Sequence, residues 1–470
     1  MTQLETRRPP GPRLNLAALI LRGFPADALR VFVAAVRDYG DIVCLRSGPW
    51  SIYLVSHPDH VRHVLYDNQK NYDKHDRFNS VLKPVLGEGL LTSDGDVWRR
   101  QRRLMQPAFH VSRLSALDAL VTGETASMLD RWAASAGAGR PVDLLTEMRR
   151  LTFGILARGF FGSAVEYTSD IDLAARTFFD YFDYKTRHLL TLPDGVPSPR
   201  NRRFRRAFAA VDRVIDGIIE ARRRGGERHD DLLALLLQAE AAGDDLVSDR
   251  QQVRDEVGTL LRVGYETPAV ALAWTWYFIA SSPDVERRLQ AELAAVLGGR
   301  TPAVGDLPRL NYARAVLEES MRLYPPVWAV SRRAIGDDEI GGYRVPAGAE
   351  VVVCPYITHR HAAAWENPDV FDPSRFTSEH ASARRRGAFV PFGGGLRRCI
   401  GDSFAMMEML LIVAMVAPAY RMRLVPGHPV EPSPKFTLRP RDGVLMSLHR
   451  RGPLSPESTS TGTATAGTAS

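Results

Sequence analysis

The chain has 470 residues, 45% hydrophobic, 24% charged and 9% aromatic, which excludes a wholly disordered, collagen-like or disulfide-framed protein. Its three cysteines, Cys44, Cys354 and Cys399, lie far apart and form no CxxC pair, arguing against a zinc knuckle or a secreted scaffold and for a reducing compartment. The net charge of +7 comes almost wholly from arginine, and without a Lys/Arg block or an aromatic-interleaved basic module nucleic acid is not an expected partner.

The chain opens on Pro9, Pro10, Gly11 and Pro12, so residues 1–13 are expected to form a proline-rich lead-in. The apolar stretch 14–21, ended by Arg22, is too short to span a membrane, which takes about 20 apolar residues. It also lacks a small-residue cleavage site, so a cytoplasmic protein without a membrane span is expected. Ile42 and Cys44, then residues 51–55, read as two strands around the turn Ser47, Gly48, Pro49. Apolar residues at three- and four-residue spacing then predict helices over 96–105, 113–136, 142–161, 203–224 and 230–242.

A longer helix is predicted from an N-cap at Ser248, through Val253, Val257, Leu260 and Leu261, to Ile279, where Ser281, Ser282 and Pro283 end it. About 30 residues at 1.5 Å each make roughly 45 Å, enough to cross a domain. Pro268 has no N–H for the carbonyl of Gly264, so the helix must open there. Glu266 and Thr267 then stand beside a groove able to hold water or a small polar ligand; a plain proline kink relieved by Thr267 is the alternative. Strands return at 338–340, after Gly341 and Gly342, and at 350–353, and a hairpin is predicted between 436–438 and 445–448. The expected fold class is therefore mainly α with a minor β-sheet, as one domain over 14–452, followed by a Ser/Thr/Gly/Ala-rich tail over 453–470 that should be disordered.

The chemistry concentrates in Pro391, Phe392, Gly393, Gly394, Gly395, Leu396, Arg397, Arg398, Cys399, Ile400, Gly401, ahead of a helical run over 402–415. A cysteine just before a helix start meets amide N–H donors and the positive end of the dipole, both favouring thiolate and metal binding. The glycines clear side chains so that a flat, bulky group can lie against the backbone, and Arg397 is able to pair with carboxylates on such a group. No Lys-Ser/Thr pair follows, so this is no phosphate cradle. A buried inert cysteine in a glycine-rich turn is the alternative.

Phe392, Gly395, Arg397, Cys399 and Gly401 match the FxxGxRxCxG haem signature, and the chain resembles the cytochrome P450 family from Pro9 to Arg451. The resemblance implies haem b with Cys399 as axial thiolate, pushing electron density onto iron. It makes Gly264, Glu266 and Thr267 the oxygen-activation motif, with Val263 where alanine or glycine is usual. Glu319, Arg322 and Arg375 match the ExxR triad, Trp98 and Arg102 the WxxxR pair that meets the haem propionates, and Arg332 the propionate arginine, with Arg333 as its neighbour and competitor. Val263, Val327, Trp328, Ala329, Val330 and Phe436 become candidate substrate walls, and Phe178, Phe179, Tyr181, Phe182 and Tyr184 the roof. These walls are apolar, so the substrate should be as well. His359 and His361 lack a third ligand and do not suggest zinc.

The implied function is a haem-thiolate monooxygenase that uses O2 to hydroxylate or epoxidise a terpenoid, fatty acid, steroid or macrolide. The residues after Cys399 are too few for a fused flavin reductase, so ferredoxin and ferredoxin reductase, or flavodoxin, are the expected donors to a monomeric enzyme. Arg384, Arg385, Arg386 and Arg398 would form the docking face. A peroxygenase or hydroperoxide lyase of the same fold is the rival reading, opposed by Glu266 with Thr267; a haem sensor is the other, opposed by the absence of a recognisable output module.

Overall fold

A computed structural model describes residues 7–452 apart from 164, 189, 226–229, 244–248 and 378–384. Ser248, Arg384 and the 453–470 tail lie outside the described residues. The principal helices are α1 (Leu16–Arg22), α2 (Ala28–Tyr39), α3 (Arg77–Leu86), α4 (Gly95–Met105), α5 (Asp118–Gly137), α6 (Leu144–Phe161), α7 (Ser169–Arg187), α8 (Pro199–Arg224), α9 (Leu232–Ala241), α10 (Arg250–Val263), α11 (Glu266–Ser281), α12 (Pro283–Leu297), α13 (Asn311–Leu323) and α14 (Asp402–Ala419). The fold is thus the expected one, helical with small sheets.

The strands are β1 (Ile42–Ser47), β2 (Trp50–Val55), β3 (Tyr72–Asp73), β4 (Val142–Asp143), β5 (Val330–Ala334), β6 (Asp338–Ile340), β7 (Tyr343–Val345), β8 (Glu350–Val353), β9 (Tyr420–Leu424), β10 (Pro432–Pro434), β11 (Leu438–Pro440) and β12 (Leu445–Arg450). The largest sheet runs β1-β2-β8-β5-β3, with β2 and β8 parallel. Residues 10–14 lie beside its edge: Cys44 N donates to Pro10 O at 2.8 Å and Leu14 N to Arg46 O at 2.7 Å. The hairpin expected between 436–438 and 445–448 is not formed. β11 pairs with β10, whereas β12 joins β9 and β4 in a separate sheet.

Two helices set the site. The long helix is divided: α10 ends at Val263 and α11 begins at Glu266. Its cap is Asp249, whose carboxylate accepts from Gln252 N, not Ser248. The second, α14, follows the cysteine loop and is apolar almost all round, as a fully enclosed helix should be. It is long and apolar enough to cross a membrane, but it packs instead against α5, α12 and α13 in the core.

Candidate functional site

The cysteine loop is held by backbone shape before any side chain acts. Gly395 has φ +63°, and a Cβ there would stand 1.9 Å from Leu65 O, so no other residue fits that contact. Cys399 N donates to Phe392 O at 2.9 Å, closing the loop, and Gly401 is the N-cap of α14. All three cysteines are free, and only Cys399 is accessible. Burial raises its thiol pKa, and the Gly401 N–H opposes that rise, as do the Arg102 and Arg398 guanidiniums. Cys354 is sealed in, donates to Trp328 O at 3.1 Å and is pushed up to about 12 by burial. An accessible sulfur inside the molecule is what a thiolate ligand to a large cofactor requires.

A cluster of buried basic side chains gathers around Arg397 of the cysteine loop. Lys74 donates Nζ to Leu91 O at 2.6 Å, and burial, with Arg332 and Arg397 nearby, drives its pKa well down. Arg332 is lowered by burial, against the pull of Asp76 and Asp94. Arg397 is lowered to about 10 by burial, against its pairing with Asp94; it also donates to Ser93 O at 3.0 Å and lies 3.9 Å over the Trp98 ring. Three buried basic groups share two acids, so a group bearing two carboxylates would supply the negative charge that keeps them charged. The donor set therefore fits haem. Arg333 turns away to Asp73, at 3.1 and 2.6 Å, so Arg332 is the inward one of the pair. Arg102 stands within electrostatic reach of Arg397 and of Cys399, and it also ties α4 to the loop, donating to Arg398 O at 2.6 Å. Sequence reasoning missed Lys74; its signal was that it is one of only five lysines in an arginine-rich chain.

Between α10 and α11, a Cβ added at Gly264 would press on Leu260 O at 2.7 Å and on Leu156 of α6 at 3.2 Å, which is why the smallest residue stands where the helix opens. Thr267 is half-buried. Glu266 is fully buried and held by Arg149 of α6, whose Nε and Nη2 each donate at 2.7 Å. Arg149 also lies 3.9 Å from Asp172 of α7, which accepts from Tyr167 at 2.9 Å. The carboxylate is therefore clamped rather than free, and its partner carried no motif to announce it.

Glu319, Arg322 and Arg375 come together behind the loop. Glu319 and Arg322 are both completely buried. Arg322 spends all five of its N–H donors: two on Glu319 at 2.6 and 2.8 Å, the others on the carbonyls of His359, Pro368 and Val370. Arg375 Nε is 3.5 Å from Glu319. His359 accepts from Val390 N at 2.9 Å and His361 meets Asp41 at 2.9 Å, so both histidines brace the structure.

Of the wall residues, Val263 and Phe436 share one aromatic cluster with Phe178, Phe179 and Phe182, the Phe436 ring lying 5.1 Å from Phe182 and 5.2 Å from Phe178. Trp328 and Ala329 line a cavity of about 210 Å³, which Phe436 also borders. Val327 and Val330 are half-buried beside them.

The Cytochrome P450 family model matches residues 9–447. Cyclooctatin synthase of Streptomyces melanosporofaciens is 38% identical over 438 residues, 92% of this chain and 93% of that protein. Cyclooctat-9-en-7-ol 5-monooxygenase of the same organism is 38% identical over 84% of this chain and 85% of its own. Pentalenene oxygenase of Streptomyces avermitilis is 31% identical over 85% and 88%.

Proposed function

The chain belongs to the cytochrome P450 family, the haem-thiolate monooxygenases of apolar organic compounds, and on that premise we propose how its residues divide the work. Cys399 would supply the thiolate that holds the haem; the observation that carries this reading is that it is free and accessible, where Cys44 and Cys354 are buried. Lys74, Arg102, Arg332 and Arg397 would receive the haem carboxylates, with Trp98 backing Arg397. Once bound, the haem supplies the activation of O2 by two electrons, one oxygen atom entering a C–H or C=C bond and the other leaving in water.

Thr267 Oγ1 donates a hydrogen bond in the gap between α10 and α11 and regains its proton from water entering that gap, with Glu266, its direction set by Arg149, as the relay that takes up a proton from that water and passes it on. Pro268 keeps a carbonyl of the helix available to water there. The aromatic cluster around Phe436 excludes bulk water from the substrate side.

The substrate class is terpenoid. The relatives' names, for oxidations of cyclooctat-9-en-7-ol and pentalenene, support this, as do the aromatic walls. Electrons come from an acidic ferredoxin with its reductase, or from flavodoxin. Three free cysteines suit a cytoplasmic setting.

The test is the ferrous–CO spectrum together with turnover of a terpenoid hydrocarbon supplied with NAD(P)H, reductase and ferredoxin. The expected result is a red-shifted Soret band, lost in Cys399→His, and one oxygen inserted per substrate. A band that survives in Cys399→His overturns the ligand assignment; turnover with peroxide alone favours a peroxygenase.

A further inference from the structure

Three strands of the five-stranded sheet bring histidines together at one edge. Ile42 pairs with Val55 and Val55 with Val353, so Asp41, the residues after Val55 and those after Val353 all leave the sheet on the same side. Asp41 stands just before β1. His57 and His60 follow β2, His57 as the N-cap of the helical turn Pro58–Arg62, and His361 follows β8 after the turn Pro355–Thr358. The partners that His361 lacks in sequence are thus supplied by the N-terminal part of the chain.

The rings touch in series. The His57 ring lies 5.1 Å from that of His60 and 4.9 Å from that of His361, centroid to centroid. Two imidazoles on one tetrahedral ion, each nitrogen about 2.0–2.1 Å from it, have centroids roughly 5 Å apart, the spacing seen twice here. His361 Nε2 is 2.9 Å from Asp41 Oδ1, close to the roughly 3 Å that two ligands of one ion keep. Asp41 also lies within electrostatic reach of His57 and His60. His60 Nδ1 is buried without a partner among the described residues, a desolvation that no protein hydrogen bond offsets. The side chains of His57, His361 and Asp41 keep 21%, 17% and 39% of their surface exposed, so an ion reaches them from solvent.

We propose that Asp41, His57, His60 and His361 form a structural site for Zn2+, three imidazole nitrogens and one carboxylate oxygen completing its tetrahedron. That donor set suits zinc and not magnesium, which takes oxygen ligands. His57 is the ligand that moves. Turning its ring brings Nε2 to the ion and lets Nδ1, which accepts from Asp59 N at 3.2 Å, donate to the Asp59 carboxylate 3.7 Å away, the outer-shell pairing that metal-bound histidines keep. Asp59 also pairs with Arg62 and Arg385, each at 3.8 Å, which limits the positive charge the ion meets. The proton between His361 and Asp41 leaves as the ion enters. The ion then clips the sheet edge to the segment that carries His359, whose carbonyl accepts from the buried Arg322 at 2.9 Å. A competing group, Asp73, His75 and Asp94, has ligand atoms within 4.8 Å of one another, but its acids are committed to Arg333 and Arg397.

The experiment is calorimetric titration of the chelator-treated, haem-loaded protein with ZnCl2, alongside thermal unfolding with and without the metal. One Zn2+ per chain should bind and raise Tm, leaving the Soret band in place, while MgCl2 does neither. His57→Ala, His60→Ala and His361→Ala should each weaken zinc by at least tenfold, the loss that even an outer-shell partner causes, and should abolish the Tm rise. His75→Ala and His63→Ala should change neither. Zinc binding that survives the three ligand variants, that is lost in His75→Ala, or that is absent from the wild type overturns the site. If His361→Ala fails to load haem, His57→Gln and His60→Gln decide by the same two readouts.

Discussion

Thr267 stands one residue beyond a buried carboxylate that is already committed to an arginine, and that asymmetry divides their roles. Glu266 accepts two hydrogen bonds from Arg149, whereas Thr267 is left half-buried at the opened turn. Removing the hydroxyl therefore takes away the proposed proton donor without touching the clamp. In Thr267→Ala, NAD(P)H consumption should continue while product per NAD(P)H falls and hydrogen peroxide accumulates; turnover driven by added peroxide should change less. Both are read by assaying product and peroxide in one reaction. A fully coupled Thr267→Ala enzyme would reduce Thr267 to a residue that merely eases the kink at Pro268. Sequence spacing disclosed Glu266 and Thr267 together, because both sit on one turn. It was silent on Arg149, which is 117 positions away and reaches Glu266 only through the packing of α6 on α11.

Among elements, the cysteine loop depends on α13 behind it. Glu319 accepts from Arg322, from Asp372 N at 2.9 Å and lies near Arg375, and the pair is wholly enclosed. Glu319→Ala strands a buried guanidinium, a change that typically costs about 3–5 kcal/mol. Soluble haem-loaded yield should collapse; normal yield with full haem content would show the network to be dispensable. The contact between α10 and the loop before α4 is pH-sensitive. Glu256 accepts from Leu90 N at 2.9 Å, and burial pushes its carboxyl up to about 8. Unfolded, it titrates near an ordinary glutamate. Between about pH 5 and 8 the folded protein thus keeps a proton that the unfolded chain has released, so this residue makes stability fall as pH rises, levelling above that window. Glu256→Gln should flatten that part of the Tm profile, and an unchanged slope would assign it elsewhere. The ExxR spacing was legible because i and i+3 share a helical face. The late strands were misread because short runs such as 436–438 carry no register of their own, and the nearer partner 432–434 closes the smaller loop. The long helix was legible in full except for its cap, where Asp249 and Ser248 are equally good N-cap types.

At the scale of the molecule, positive charge gathers on the cysteine-loop side. Arg103 of α4 is exposed, Arg99, Arg398 and Arg385 are exposed though paired with Asp96, Asp402 and Asp59, and Arg386 lies over the Tyr66 ring. Electron transfer from an acidic ferredoxin should slow as salt rises past the point where screening reaches about 8 Å. At low salt Arg103→Glu or Arg385→Glu should slow it by about tenfold. Stopped-flow rates that are flat in salt and indifferent to both substitutions would move the docking face elsewhere. The N-terminal segment carries a different dependence. Phe24 N donates to Arg187 O at 2.7 Å, Arg187 Nε returns a bond to Phe24 O at 2.9 Å, and Leu14, Leu19 and Phe24 all line the cavity of about 210 Å³. A purification handle spliced close to Leu14, or trimming of the residues that run beside β1, would therefore remodel a wall of the cavity that Trp328 and Phe436 also line, and a tagged preparation would differ there for reasons unrelated to its haem.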